Sequence, residues 1–249
     1  MVGSETSGAL SGIDTSNSNP PEVDFTNLPT RKLMTTKDLP RSRESKPWHQ
    51  VELPVDALLL TEKDCELLSF VSFLIPSFYR SYSENLGIVF FGKLGERGNT
   101  RNIAIMKLHG GPIDIITLKD AAVALRPKAV YSVGVCGGLN NPKVKLGDVV
   151  IPSKLRTYSY VELTESGVEG RGVAIPLHTR LSKSLKSAVN NWKPPLKDEG
   201  EVNVITDGAI LCGPEVVGGK DGGAKLSKRF LDAIAIEMEG QGEFICGSN

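Results

Sequence analysis

The sequence predicts an α/β fold built on a largely parallel or mixed sheet. Short apolar segments alternate along the chain with segments of helical periodicity, which is the order typical of that class. One apolar segment, residues 129–133, has a continuous apolar character, as expected for a strand that is covered on both faces. The sequence shows no internal repeat, so each element is predicted from its own pattern.

The predicted folded part begins near Val51 with a strand and a helix. Residues 55–60 are mostly apolar and predict a buried strand. We expect Thr61 to cap a helix that runs to about Leu74, with Asp64 in its first turns, because a hydroxyl residue precedes the apolar periodicity there.

The next part of the chain predicts two strands and a second helix. Residues 86–91 and 103–108 are predicted strands on either side of a glycine-rich turn at 95–98. Pro112 suits the first turn of a helix, and apolar residues then fall near one face as far as about Arg126, before a proline ends the helix.

The second half of the chain alternates in the same way. In chain order, the predicted elements are a strand at 129–133, a strand at 146–152, a helix at 179–192, a strand at 201–205, a helix around 226–231 and a strand at 233–237.

The first fifty residues differ in composition from the rest. They are rich in Ser, Asn, Pro and Thr and hold few large apolar residues, so little burial would offset the entropy lost on ordering. We therefore expect residues 1–50 to form a disordered polar tail and residues 51–249 to form one domain. A regulatory segment with phosphorylation sites around Ser42 and Ser45 is the alternative.

Composition and charge exclude several classes of protein. The 29 Lys and Arg residues balance the 29 Asp and Glu residues, so the chain has no basic excess for a nucleic-acid backbone. The four cysteines are scattered without the spacing of a zinc site. No apolar run approaches the ~18 residues of a membrane span, and the amino terminus is unlike a secretory signal. We expect a cytoplasmic protein with reduced thiols that binds neither nucleic acid nor membrane.

A glycine-rich loop, residues 134–138, directly follows the strand predicted at 129–133. Glycines allow a sharp turn and expose backbone amides to a ligand, although the same pattern also fits a plain tight turn. A cysteine version of the hydrolase nucleophile elbow, or a dinucleotide-binding fingerprint, would have to open into a helix. Another predicted strand follows here instead, which argues against both.

A second glycine-rich stretch, residues 213–221, resembles the phosphate-binding P-loop only in part. It has one glycine too many, and it ends in Asp where a magnesium-binding Ser or Thr belongs. We therefore do not predict a nucleoside triphosphate site there.

Residues 235–240 end an apolar strand with two carboxylates on either side of a methionine, Glu237-Met238-Glu239. A carboxylate can accept two hydrogen bonds from the cis-diol of a ribose, while a methionine can pack on the sugar face. The alternative is a solvated strand end, and periodicity alone does not decide between the two.

Together, residues 126–139, 145–150 and 235–240 resemble, in order and rough spacing, the motifs of the nucleoside phosphorylase and nucleosidase superfamily. This superfamily includes purine nucleoside and uridine phosphorylases and 5'-methylthioadenosine/S-adenosylhomocysteine nucleosidase. The resemblance covers the chain from about Val55 onward and looks most like a divergent animal branch. It implies a three-layer α/β/α fold with a central mixed sheet, and cleavage of the N-glycosidic bond of a purine-type nucleoside by phosphate or water.

The resemblance also implies the residues of a site and the partners of the chain. We expect a nucleoside as ligand, no cofactor other than phosphate as a candidate co-substrate, and assembly as a homo-oligomer. For the sugar, the resemblance implies that Glu239 contacts the ribose hydroxyls and Met238 the sugar face, with Glu237 in the same motif. It places Cys136 and Gly137 on the loop near base and sugar, and Ile210 and Leu211 in the base pocket. Asp64 (or Glu62) is the nearest match to the acid that positions water in nucleosidases.

Several positions depart from the pattern of the family. The chain ends at Asn249, before any Ser-Asp segment that would carry the family's general acid, so we expect the last strand and helix to be missing. Val135 and Ser132 stand where phosphate ligands occur, which favours a nucleosidase over a phosphorylase, and Ile210 stands where an aromatic residue usually stacks on the base. The alternatives to an active enzyme are a non-catalytic nucleoside-binding or signalling module and a truncated isoform.

Overall fold

A computed structural model of the chain divides into two compact units, with the boundary between Val135 and Cys136. Of the described residues, those from 34 to 135 form one unit, which we call the amino-terminal unit, and those from 136 to 237 form the other, the carboxyl-terminal unit. The structure describes residues 34–74, 78–96, 98–109, 112–139, 144–158, 161–164, 167–170, 173–190, 192, 202–213 and 219–237.

A mixed five-stranded sheet organises the amino-terminal unit. Its strands lie in the order β2-β3-β4-β1-β5, in which β4, β1 and β5 are parallel while β3 runs antiparallel to both of its neighbours. The elements are β1 (Ala57–Thr61), α1 (Asp64–Phe73), β2 (Tyr79–Ser83), β3 (Gly87–Glu96), β4 (Asn99–Lys107), α2 (Pro112–Leu125) and β5 (Ala129–Ser132).

Helices cover both faces of this sheet, because neighbouring residues of a strand point to opposite sides. Leu58 and Leu60 of β1 belong to a buried cluster with Leu125 of α2. Leu59, between them, belongs to a second buried cluster with Leu67 of α1. The unit therefore has helix, sheet and helix layers, and the α/β class with a mixed sheet is confirmed.

The segment before β1 is tied to the sheet by hydrogen bonds to and from the backbone of Lys46. The N–H of Lys46 donates to the carbonyl of Arg80 at 2.8 Å. The hydroxyl of Ser81 donates to the carbonyl of Lys46, also at 2.8 Å. Short 3-10 helices in this segment span Thr36–Asp38, Ser42–Glu44 and Trp48–Gln50.

Apolar side chains of the same segment complete the core of the unit. The ring of Trp48 meets the ring of Phe91 edge-on, with the centroids 5.9 Å apart, and Met34 packs against the cluster beside α1. The predicted disordered tail therefore does not hold for residues 34–50, since even a few large apolar residues find partners on the sheet. Residues 1–33 lie outside the described part of the chain.

Helix α1 begins two residues later than the sequence predicts. Thr61 is the last residue of β1, and its hydroxyl donates to the carbonyl of Met106 at 3.5 Å, so it does not cap the helix. The carboxylate of Glu66 accepts hydrogen bonds from the backbone N–H groups of Glu62 and Lys63, each at 2.9 Å. A side chain from inside the first turn thus satisfies the free amides at the helix start.

The carboxyl-terminal unit contains a second mixed five-stranded sheet, ordered β11-β8-β13-β14-β6, together with two two-stranded sheets, β9-β10 and β7-β12. Its elements are β6 (Gly137–Gly138), β7 (Val149–Val150), β8 (Lys154–Thr157), β9 (Val161–Thr164), β10 (Gly167–Gly170), β11 (Ala174–Pro176), α3 (Thr179–Asn190), β12 (Val204–Ile205), β13 (Ala209–Cys212), α4 (Gly219–Arg229) and β14 (Ala233–Glu237).

The predicted strand at 146–152 shortens to the two residues of β7. A turn precedes it, in which the N–H of Lys145 donates to the carboxylate of Asp148 at 2.8 Å, and Gly147 has a positive φ of 94°. The same carboxylate accepts the N–H of Asn203 at 2.9 Å, just before β12. Asp148 therefore holds the start of β7 beside the start of β12, and both strands are brief.

The centre of the carboxyl-terminal sheet is strand β13, which is buried along its whole length. Ile210 packs in a cluster with Ile234, while Leu211 packs on the other side with Tyr158 and Phe230. The parallel β14 lies beside it, so the end of β14 is held in place by apolar packing on both faces.

An ionic cluster joins β8 to the start of β14 across β13. The carboxylate of Asp232 forms ion pairs with the ammonium of Lys154, at 2.5 Å, and with the guanidinium of Arg156, at 2.9 Å. The hydrogen bond from Lys154 is the main reason that the pKa of Asp232 lies below its usual range. The guanidinium of Arg156 also lies 5.2 Å from the ring centroid of Phe230, which adds a cation–π contact.

Candidate functional site

The pairing of β6 with β14 brings the glycine-rich loop to the Glu-Met-Glu motif. The two strands are antiparallel, with Gly138 opposite Ala235 and Gly137 opposite Ile236. Continuing this register by one residue places Cys136 beside Glu237. Two segments nearly one hundred residues apart in sequence therefore meet at one end of the sheet.

Close approach at this pairing favours a glycine at position 137. A Cβ atom added to Gly137 would lie 3.2 Å from Cγ2 of Ile236, which is tighter than ordinary van der Waals contact. At Gly138 the nearest atom would be Cγ1 of Val144, at an ordinary 3.8 Å. The backbone of Gly137 can therefore lie close to β14, where even a methyl side chain would require the side chain of Ile236 to shift by a few tenths of an ångström.

The surroundings of Cys136 favour the protonated form of its thiol. Partial burial of the sulfur raises its pKa, and the negative charge of Glu237 raises the pKa further, although the residue as a whole is exposed. Because the thiolate is the nucleophilic form, a raised pKa makes the thiol a weak nucleophile at neutral pH. This agrees with a packing and backbone-approach role for Cys136.

The two predicted base-pocket residues lie next to this end of the sheet but face opposite ways. Ile210 pairs with Ala235 of β14 and is 8% exposed, whereas Leu211 is fully buried on the other face. Neighbouring residues of a strand cannot both line a pocket on one face. Of the two, Ile210 shares a buried cluster with Ala235, the partner of Gly138.

The remaining members of the predicted motif lie outside the described residues. Glu237, half-buried, is the last residue of β14, and Met238 and Glu239 follow it without a described position. Their contacts with a ribose therefore stay a prediction. Ile236 pairs with Gly137 of β6, and Glu237 pairs with Cys212 of β13.

Asp64 belongs to the amino-terminal unit, where it lies in the first turn of α1. Its carboxylate is 2.6 Å from the ammonium of Lys107 and is 63% exposed. Glu62, the alternative candidate, is 17% exposed at its side chain and pairs with Lys63 at 2.7 Å. Both carboxylates are thus engaged with a lysine in this structure, and a role of Asp64 in positioning water stays a prediction.

Sequence reasoning did not recognise the role of Gly213. A Cβ atom there would lie 2.4 Å from the ring of Tyr158, so only glycine fits where β13 ends. The signal was a glycine directly after a short apolar run, but residues 209–212 were interpreted as pocket lining and not as a strand. Gly213 therefore serves the packing of β13 and begins the glycine-rich stretch 213–221, which departs from the P-loop pattern.

The described residues contain neither a metal-binding cluster nor a membrane-spanning helix. Within the described ranges, no cluster of three or more His, Cys, Asp or Glu residues is arranged to hold a metal ion. Among the same residues, no helix has both the length and the apolar character needed to cross a bilayer.

Comparison with known families matches residues 80–248 to the family described as the phosphorylase superfamily. A death domain-containing ATP nucleosidase of Amphimedon queenslandica is 25% identical over 153 residues, covering 55% of this chain and 28% of that protein. A 5'-methylthioadenosine/S-adenosylhomocysteine nucleosidase of Baumannia cicadellinicola is 31% identical over 111 residues, covering 44% of this chain and 45% of that protein. The chain thus spans less than half the length of these relatives.

Solved structures with the same fold include two bacterial nucleosidases. The 5'-methylthioadenosine/S-adenosylhomocysteine nucleosidase of Colwellia psychrerythraea, in complex with adenine, has a TM-score of 0.60 and 20% identity, covering 78% of this chain and 76% of that one. The corresponding enzyme of Neisseria meningitidis, in complex with methylthio-immucillin-A, has a TM-score of 0.62 and 18% identity, covering 76% and 78%. At this identity the likeness establishes the fold, and it confirms the phosphorylase-like class predicted from the sequence.

Proposed function

This chain belongs to the phosphorylase superfamily, and we propose that it binds a purine nucleoside and cleaves the N-glycosidic bond with water. The observation that carries the proposal is the pairing of β6 with β14, which sets Cys136 and Gly137 beside Glu237. The relatives whose names record an activity are nucleosidases, and one structural neighbour holds adenine. These names support a purine as the base.

The chemistry follows from what such a bond needs in order to break. The electron pair of the C1'–N bond leaves with the base, which takes up a proton, and the sugar becomes an oxocarbenium-like cation. Carboxylates close to the sugar stabilise that positive charge, an electrostatic effect that is large in a site shielded from water. In this proposal Glu239 accepts hydrogen bonds from the ribose hydroxyls, Met238 packs on the sugar, and the half-buried Glu237 adds negative charge beside them. Water then adds to C1' and releases a proton.

Water is preferred to phosphate as the nucleophile because of two positions before Cys136. Val135 is 71% exposed and its side chain has no group that could bind an anion. Ser132 is uncharged and ends strand β5, where one branch of the family has an arginine. Neither position offers the cationic, multidentate hydrogen bonding by which proteins usually hold phosphate.

Binding of a nucleoside without cleavage is the second candidate function. It is favoured by Asp64, the candidate for positioning water, which is already paired with Lys107 at 2.6 Å. A carboxylate that is held by an ammonium group is a weaker acceptor for the proton of an attacking water.

Base release measured by chromatography separates these functions. The protein is incubated with adenosine, inosine or 5'-methylthioadenosine, each with and without phosphate. We expect free base without added phosphate, and a loss of at least ~10²-fold in Glu239→Gln. Glu84→Gln, which alters an exposed carboxylate near β2, is the matched control. Release that requires phosphate would indicate a phosphorylase, saturable binding without release would support the second candidate, and neither binding nor release would refute both.

Assembly, location and cofactor need are further parts of the proposal. We infer a cytoplasmic homo-oligomer that needs no metal or organic cofactor. Cys65 and Cys136 are free thiols, which suits a reducing compartment. Light scattering after size-exclusion chromatography tests the oligomer, and base release after dialysis against EDTA tests the absence of a metal.

A further inference from the structure

Arg80 of β2 carries a guanidinium group whose hydrogen-bonding capacity is only partly used. Nη1 donates to the carbonyl of Pro40 and Nη2 donates to the hydroxyl of Ser42, each at 3.4 Å, which is long for such bonds. Within the described part of the chain, the buried Nε atom has no hydrogen-bond partner, and Arg80 forms no ion pair with a carboxylate. A half-buried positive group therefore lacks a negative partner among these residues.

The unused donor lies on the side of the guanidinium that faces Ser42. In a planar guanidinium, the N–H of Nε and one N–H of Nη2 point in parallel from the same side, and this pair matches two oxygens of a phosphate group. Because Nη2 is the nitrogen that contacts Ser42, the hydroxyl oxygen of Ser42 lies on that side and uses only one of the two parallel donors. A phosphoryl group on this oxygen would bring further oxygens within reach of both.

The charges around Ser42 also suit a negative group. Ser42 is exposed and lies between Arg41 and Arg43, which are exposed as well. The carboxylate of Glu44 is already engaged, because it accepts the N–H of Arg41 at 2.8 Å and lies 3.8 Å from Nε of Arg43. Phosphoserine carries a charge of about −1.5 to −2 at pH 7, which Arg80 and the two flanking arginines would offset.

Arg80 contacts the same part of the chain a second time, through its backbone. Its carbonyl accepts the N–H of Lys46 at 2.8 Å, and the hydroxyl of the next residue, Ser81, donates to the carbonyl of Lys46 at 2.8 Å. Strand β2 lies at one end of the strand order, where a sheet exposes backbone groups that can pair with other chains. Residues 34–50 thus cover part of this edge, and Arg80 holds them there at Ser42 and at Lys46.

We propose that Ser42 is a phosphorylation site and that Arg80 binds the phosphate through Nε and Nη2, which fastens residues 34–50 to β2. The hydroxyl oxygen of Ser42 attacks the terminal phosphorus of a nucleoside triphosphate. A new O–P bond forms, the bond to the nucleoside diphosphate breaks, and the hydroxyl proton is released. A protein kinase that accepts a serine between two arginines would catalyse the transfer. Ser45, half-buried and joined to Arg80 by no described hydrogen bond, is the less suitable site.

Hydrogen exchange of the full chain, followed by NMR, tests the fastening. Genetically encoded phosphoserine is placed at position 42 in one protein and at position 45 in another, the matched control that brings the same charge next to Lys46. With phosphoserine at 42, the amide of Lys46 should exchange at least ~10-fold more slowly than in the unmodified protein, because its bond to the carbonyl of Arg80 opens less often. Phosphoserine at 45 should slow this amide far less.

Arg80→Lys separates the bidentate contact from charge alone, because lysine keeps the positive charge but lacks the two parallel donors. In this variant, phosphoserine at 42 should no longer slow the exchange of Lys46, while Ile105 in β4 should exchange as before, which shows that the sheet is intact. Equal slowing in Arg80→Lys and in the protein with Arg80 would overturn the proposal. Equal slowing by phosphoserine at 42 and at 45 would overturn it as well, and this comparison leaves the sheet unaltered.

The modification itself is tested with the unaltered chain, ATP and an arginine-directed serine kinase, followed by mass spectrometry of the peptides. We expect phosphate on Ser42. Phosphate on Ser45 instead, or on neither serine, would overturn the assignment of the site.

Discussion

Gly137 lies directly opposite Ile236, and a Cβ atom at Gly137 would be 3.2 Å from Cγ2 of Ile236. We expect Gly137→Ala to lower the free energy of unfolding by about 1 kcal/mol, because the isoleucine must move by a few tenths of an ångström. Gly138→Ala is the control, since its Cβ would meet Val144 at an ordinary 3.8 Å, and it should stay within about 0.5 kcal/mol of the unaltered protein. Urea denaturation of the three proteins measures both values.

Equal losses for the two alanine variants would contradict the close approach at Gly137. A loss confined to Gly137→Ala would show that β6, and with it the position of Cys136, depends on the absence of a side chain there.

The carboxylate of Glu66 replaces the cap that was predicted at Thr61. It accepts the backbone N–H groups of Glu62 and Lys63, each at 2.9 Å. Glu66→Ala should lower the free energy of unfolding by about 1 kcal/mol, because two amides at the start of α1 lose their partner. Glu66→Gln keeps an oxygen acceptor and should lose less than Glu66→Ala. Equal losses in thermal melts would mean that the charge, and not the hydrogen bonds, stabilises the helix start.

The elements that sequence reasoning predicted well are those whose pattern is local. Strand β1 is a run of apolar residues, and its burial on both faces follows directly from that run. Strand β8 was not predicted, because Lys154 and Arg156 alternate with less polar residues and give no apolar run. Both cations pair with Asp232, more than seventy residues further along the chain, and no local pattern reveals that partner.

The candidate site divides in the same way. The structure sets Cys136 beside Glu237, and it turns Ile210 and Leu211, which the resemblance assigns to one pocket, to opposite sides of β13. Four residues of apolar sequence do not show which side chain faces which layer until the neighbouring strands are known. Strand β6 consists of two glycines, a residue type that is depleted in strands. It forms because β14 pairs with it.

The lowered pKa of Asp232 predicts that its ion pairs, which link β8 to the start of β14, are sensitive to acid. Its pKa is lowered in the folded protein, so its contribution to stability is complete above the unfolded pKa of about 3.9 and is lost as pH falls through the lower folded value. Asp232→Asn should therefore lower the melting temperature at pH 7 and flatten its decline between pH 5 and pH 3. Asp207→Asn is the control, since that side chain is 90% exposed and lies 3.6 Å from Lys186. If the melting temperatures of the unaltered protein and Asp232→Asn fall equally between pH 5 and pH 3, the link is refuted.

The charge of Glu237 should be measurable at Cys136. Burial and then Glu237 raise the pKa of this thiol, so Glu237→Gln removes one cause and must lower the pKa, because the thiolate no longer faces a negative charge. Cys136 should then react faster with iodoacetamide at every pH below its midpoint, measured by mass spectrometry with Cys65→Ser and Cys246→Ser in the background. Glu84→Gln, an exposed carboxylate of the amino-terminal unit, should leave the profile unchanged. An unchanged profile in Glu237→Gln would show that the two side chains do not face each other, and the register that carries the proposed function would be wrong at this point.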